Sequence, residues 1–294
     1  MVRRGGAVHN HSCEPTRPPE GAESGGRRWS SIGWQPILAY HRVARTAPGD
    51  GLWRHTVLPE RFAHQMAYLA AHGYRVVKLS DLVSAAQAGG RCVALTFDDG
   101  YRDVHDAAWP ILQRYGFQAT MFLVSGWMRG EPGLDGPHAP LLTLAQVREM
   151  ARCGVEFGTH GRTHAALVGL PPDQLWAEVA GSREELEQML GLPITMFAYP
   201  YGLYDAPARQ AVGDAGYALA AALFNGTDDP LALFRWEVGG PGDWLPLTWK
   251  LSPWPYAVLR AWRGSPLRSL WRTLRGLAAF GGHVQYPFGG LRGE

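Results

Sequence analysis

Cysteine is scarce in this chain of 294 residues: Cys13, Cys92 and Cys153 are odd in number, far apart and in no C-x-x-C pair. That argues against a disulfide framework or a zinc knuckle, and the three read as ordinary reduced thiols. Charge of one sign is lacking too. The 28 Lys and Arg are balanced by 26 Asp and Glu, interspersed along the chain, for a net charge of +2. Nothing resembles the basic stripe of a nucleic-acid binder, and a small polar substrate fits better. No apolar run reaches transmembrane length.

Residues 1–34 are rich in Gly, Pro, Ser and Arg and contain no apolar core of the kind a signal peptide needs. They are expected to form a disordered tail, with a cytoplasmic location as the default. His9 and His11 in that tail have no rigid partner with which to hold a metal.

From Gln35 short apolar runs alternate with longer segments of helical period, the pattern of βα units stacked around a parallel sheet. "PILAY", "RVVKL", "CVALTF", "ATMFLV", "VEFGTH" and "TMFAYP" read as strands. "PERFAHQMAYLAAHG", a segment from about Asp103 to Tyr115, "TLAQVREMARCG", "DQLWAEVAGSREELEQML" and "APARQAVGDAG" read as helices. So many strands in one series favour an α/β fold of the closed kind, a distorted (β/α)-barrel with about seven parallel strands. Its expected span is residues 35–245, followed by an extension over 246–294.

In such barrels chemistry collects where the strands end. "VALTFDDGY" stops at Asp98 and Asp99, "EFGTHGRTH" brings His160 to a strand end with His164 four residues on, and "FAYPYG" ends a third strand. A four-residue spacing on a helical turn sets two imidazoles on one face, although such pairs are also common as hydrogen-bonded turn residues. Adding a carboxylate from a neighbouring strand end makes a two-histidine, one-carboxylate set that leaves positions open for water and substrate. Adjacent aspartates could then divide the labour, one on the ion and one taking a proton. Asp-Gly as a plain tight turn is the simpler reading of "DDG" taken alone.

These segments resemble the polysaccharide deacetylases, the NodB-homology group of carbohydrate esterases. "TFDDGY" is similar to their first motif, "THGRTH" to their metal motif with Gly161 where Ser or Thr is usual, and "FAYPYG" to their third. The resemblance covers residues 36–240. It implies a hydrolase that removes acetyl groups from N-acetylated sugars with a divalent metal, zinc being expected and other transition metals suiting the same donors. Asp99, His160 and His164 would hold the ion, Asp98 would be the base, and the backbone N–H of Tyr201 would support the oxyanion.

Two departures stand out. Ala198 occupies the place where many members carry an arginine that pairs with the base, and no late Leu-x-His segment follows Arg235 to supply the acid. His283 lies in a glycine-rich tail with no strand before it. "ILAYHRV" resembles instead the opening of the circularly permuted subgroup acting on poly-N-acetylglucosamine-type polymers, which implies His41 as the general acid. A rim histidine bonded to a loop carbonyl is its plainer reading. Arg235 stands either in place of the absent arginine or in an ordinary surface or ion-pair role. The departures also leave open a barrel that has lost catalysis and binds glycans or partners.

Leu267, Leu270, Trp271 and Leu274, interleaved with Arg268, Arg272 and Arg275, make a basic amphipathic helix. It could lie on an anionic membrane surface or dock on its own domain.

Overall fold

A computed structural model describes residues 34–45, 51–129, 139–240, 243 and 245–263. The N-terminal tail with Cys13, the basic stretch 267–275 and His283 lie outside the described residues. One compact unit runs to Leu251, and a second begins at Ser252.

The first unit is built on parallel strands, in chain order β1 (Ile37–Tyr40), β2 (Arg42–Val43), β3 (Thr56–Val57), β4 (Tyr74–Val77), β5 (Arg91–Phe97), β6 (Thr120–Leu123), β7 (Glu156–Thr159), β8 (Met196–Ala198), β9 (Leu219–Ala222), β10 (Leu233–Phe234) and β11 (Trp236–Glu237). β2 and β3 form a separate small pair. The main sheet runs β10-β9-β8-β7-β6-β5-β1-β11, with β4 added beside β5. Seven of its nine strands have three or more residues, the number the sequence pattern supports, and the other two are two-residue pieces.

Those two pieces bring the two edges of the sheet close to closure. β10 lies against β9 at one edge and β11 against β1 at the other, yet only Arg235 separates them in sequence. The Arg235 N–H donates to the Ala222 carbonyl at 3.0 Å, and the Val238 N–H donates to that of Ala39 at 2.8 Å. The chain therefore steps across the seam at Arg235. Parallel strands buried on both faces need continuous apolar runs, as "CVALTF" in β5 provides.

Alternation along the strands separates two packed layers. Val93, Leu95 and Phe97 join the layer of Leu38, Met121, Phe197 and Ala220. Cys92 and Ala94 join Ile37, Phe122, Met196, Ala198, Ala221 and Leu233 on the opposite face, which Thr96 and Asp98 continue.

The helices are α1 (Pro59–Ala71), α2 (Leu82–Gln87), α3 (Trp109–Tyr115), α4 (Ser125–Met128), α5 (Leu144–Arg152), α6 (Pro172–Trp176), α7 (Ser182–Leu190), α8 (Ala206–Asp214), α9 (Leu247–Lys250) and, in the second unit, α10 (Pro253–Arg263). The start of the segment expected from Asp103 is wound as a π-turn over Val104–Ala108. The long helix expected at "DQLWAEVAGSREELEQML" is likewise α6 and α7 joined through a π-turn, Ala177–Gly181. No described helix is long and apolar enough to cross a membrane. Cys92 is a free buried thiol.

Candidate metal centre

Asp98 is fixed by the end of β5, where its N–H donates to the Tyr40 carbonyl of β1 at 2.9 Å. Its carboxylate is almost wholly buried and meets the guanidinium of Arg235 in a two-point contact, Nη1 to Oδ1 at 2.7 Å and Nη2 to Oδ2 at 2.8 Å. Nη1 also donates to Thr96 Oγ1 at 3.0 Å, and the guanidinium lies 5.4 Å above the Phe122 ring. Burial opposes the Asp98 charge, but the charge and hydrogen bonds of Arg235, helped by His160, hold its carboxyl below the usual range. Ala198 shares the packed face that Asp98 continues, and the small side chain there matches an arginine arriving from the seam rather than from β8.

Directly after Asp98 the chain turns through two left-handed residues, Asp99 (φ 73°) and Gly100 (φ 79°). At position 100 the left-handed backbone strains any other side chain, and a Cβ there would also press on Leu123 Cδ2 at 2.8 Å. Among the described residues three non-glycines have positive φ: Asp99, His164 (φ 63°) and Tyr201 (φ 58°). All three sit at one rim of the barrel. Left-handed backbone at non-glycine residues costs about 1–3 kcal/mol each and gathers where a site needs it.

His160 directly follows β7, and its Nδ1 donates to the Ala198 carbonyl at 2.7 Å. That bond fixes the tautomer and leaves the Nε2 lone pair facing the carboxylates. Burial drives its pKa down to about 4, so the ring is neutral at physiological pH. Asp99 Oδ1 lies 3.3 Å from His164 Nε2 and 3.6 Å from His160 Nε2, and the three ligand atoms cluster tightly. Burial would raise the Asp99 pKa. The His164 ring, then His41 and His160, overcome this and hold it well below the carboxylate range.

Buried Asp99 Oδ1 makes no hydrogen bond with any described residue. Nitrogen and oxygen donors about 2.0–2.2 Å from a tetrahedral zinc stand about 3.3–3.6 Å from one another. An orphaned carboxylate oxygen facing two imidazole nitrogens at such separations is a donor set that fits a small divalent cation. The His164 ring is held between Trp127, stacked at 5.5 Å, and Tyr201, edge-on at 4.7 Å.

His41 follows β1 between two anchors. The Tyr40 hydroxyl donates to Gln65 at 3.1 Å, and Arg42 Nε donates to Asp103 at 2.7 Å. The His41 Nδ1 is buried without a hydrogen-bond partner. Its ring lies 5.0 Å from that of His55, whose Nδ1 meets Glu237 Oε1 at 2.8 Å. Donor atoms of His41, His55 and Glu237 fall within 4.8 Å of one another, a second cluster that motif reading missed. Glu237 lies two residues beyond Arg235, so strand alternation could have flagged it. Nothing near His55 signals it. The structure thus brings Asp98, Asp99, His160, His164, Tyr201 and Arg235 to one end of the barrel, with His41 close enough to lower the pKa of both aspartates.

Residues 85–220 match the polysaccharide deacetylase family. The chain carries a polysaccharide deacetylase domain. YxkH of Bacillus subtilis, assigned to the polysaccharide deacetylases, is 31% identical over 188 residues, covering 63% of this chain. The match spans 62% of YxkH, so the likeness does not extend over that whole protein. The poly-beta-1,6-N-acetyl-D-glucosamine N-deacetylase of Staphylococcus aureus is 24% identical over 210 residues, 63% of this chain and 71% of its own. In three dimensions the Streptococcus pyogenes deacetylase PplD, solved in complex with acetate, superposes with a TM-score of 0.64 at 26% identity. It covers 72% of this chain and 95% of PplD. The nearly closed parallel sheet is the distorted barrel of these deacetylases.

Proposed function

We propose that this polysaccharide deacetylase domain is a metal-dependent hydrolase that removes acetyl groups from the amide nitrogen of N-acetylated sugars in a polysaccharide or glycan. The observation that carries the reading is the orphaned oxygen of Asp99, facing two imidazoles, beside a second carboxylate that Arg235 keeps ionised.

Asp99, His160 and His164 would hold the ion, with zinc the first candidate for two imidazoles and a carboxylate. Bound there, such an ion polarises the acetyl carbonyl and lowers the pKa of water. Asp98, ionised and aimed by its two-point contact with Arg235, accepts the proton of the attacking water. The Tyr201 N–H, on a strained turn at the rim, donates toward the oxygen that becomes negative. His41 gives a proton to the departing sugar amine, which leaves poorly unless protonated. Glu237, whose own charge His55 and then His41 stabilise, stands beside it.

Arg235 supplies from the seam the ion-pair partner missing at position 198, which weighs against a binding-only barrel. The early His41 is the feature that resembles the permuted subgroup. With the name of the Staphylococcus aureus relative, it favours a β-linked N-acetylglucosamine polymer as substrate. The test is acetate release from a panel of N-acetylglucosamine oligomers and O-acetylated controls, before and after chelation. Release from the amides alone, lost on chelation and restored by zinc, supports the proposal. Release from esters alone would contradict it.

A further inference from the structure

Between His160 and His164 run Gly161, Arg162 and Thr163, and the backbone of this span is gripped from two sides. On one side its carbonyls accept from the start of α4: Ser125 N–H to the Gly161 oxygen at 3.1 Å and Gly126 N–H to the Arg162 oxygen at 2.8 Å. On the other side stands Glu178, a buried carboxylate within the π-turn that joins α6 to α7. Its Oε2 accepts from the N–H groups of Arg162 at 2.9 Å and Thr163 at 3.0 Å, and its Oε1 accepts from Thr163 Oγ1 at 2.6 Å. Among the described residues, the hydrogen bonds to this carboxylate all come from the link between the two histidines.

Burying a carboxylate is costly unless its oxygens are satisfied, so three donors converging on one group make a deliberate contact. Gly161 adds a second observation. Its φ of +82° is left-handed, and a Cβ there would stand 3.1 Å from Glu178 Oε2. The glycine that departs from the usual Ser or Thr is therefore matched to the carboxylate that takes the space. One residue past the gripped span, His164 holds its own left-handed backbone, which a histidine does not keep unaided.

Resting on the metal-centre reading above, we infer that Glu178 is a positioning residue. It fixes the Gly161–Thr163 link so that His164 Nε2 stays in register with His160 Nε2 and Asp99 Oδ1 and the donor set is formed before the ion arrives. The π-turn serves this purpose, since an extra residue in a helix re-aims the side chains around it and recurs at functional sites. Partners lying behind metal ligands typically change metal affinity 10–100-fold when removed.

The experiment is zinc affinity of the full chain, measured by competition with a chromophoric chelator, with the visible spectrum of the cobalt-substituted protein as a second readout. Glu178→Ala should weaken zinc binding 10–100-fold and alter the cobalt spectrum. Glu178→Gln should restore much of both, because its amide oxygen can accept the two backbone N–H groups and its amide nitrogen can donate to Thr163 Oγ1. Should Glu178→Ala fail to fold, Glu178→Gln and Thr163→Val decide, the latter losing only the hydroxyl contact and weakening zinc several-fold. Folded variants that all bind zinc within threefold of the parent, with unchanged cobalt spectra, overturn the inference while leaving the metal centre intact. A parent that binds no zinc, or a His164→Ala variant that binds it fully, overturns the metal-centre reading and this inference with it.

Discussion

Arg235 and Asp98, 137 residues apart in the chain, meet in a buried two-point ion pair at 2.7 and 2.8 Å at the seam where the barrel closes. The pair joins architecture to chemistry, because the residue at which the chain crosses from one sheet edge to the other also holds the proposed base ionised. Removing one partner of a buried pair leaves an uncompensated charge and costs about 3–5 kcal/mol. Arg235→Met should therefore lower the melting temperature by roughly 6–20 °C. Arg235→Met combined with Asp98→Asn should recover part of that loss. Calorimetry on the single and double variants checks this, and simple additivity would mean that the two side chains do not depend on each other.

His160 predicts a pH dependence for the metal-free chain. Its folded pKa of about 4 lies below the ordinary 6.5, so the unfolded chain takes up the proton first. The stability that depends on the neutral ring is fully present above pH 6.5 and is lost as pH falls from 6.5 toward 4. Melting temperatures should decline across that window in the parent and decline less in His160→Asn. Parallel curves would assign the decline to other groups.

His41 is assigned a proton rather than a ligand role, and positioned acids contribute about 10²–10⁴ in rate. His41→Ala should keep its metal content and melting temperature, lower kcat by about that factor and lose the alkaline limb of the pH profile. Turnover within a few-fold of the parent would mark His41 as a structural rim residue.

Tyr201 separates stability from function. Its left-handed backbone costs about 1–3 kcal/mol that glycine would not incur. Tyr201→Gly should melt at or above the parental temperature while acetate release falls, because the ring that packs edge-on against His164 is gone. A clear drop in melting temperature would show that the ring contact outweighs the backbone strain.

The alternation of buried strands and amphipathic helices made the barrel readable, and strand ends carrying "FDDG", "THGRTH" and "FAYPYG" marked its active rim. Local pattern could not decide Arg235. "LFRWEV" is too short to announce two strands, and its meaning depends on β10 and β11 lying at opposite edges of a sheet that closes. Glu178 was hidden for a different reason. In a helix its identity reads as one more polar position, and only the π-turn and the backbone donors of a distant loop give it a role. His55 likewise gains significance only through its contacts with His41 and Glu237.

The division of labour between the adjacent aspartates is measured most directly as bound zinc per chain and acetate released from N-acetylglucosamine oligomers in the same preparations. Asp98→Asn is predicted to keep about one zinc per chain and lose most turnover, whereas Asp99→Ala loses both. Equal zinc loss in the two variants, or full turnover in Asp98→Asn, would contradict it.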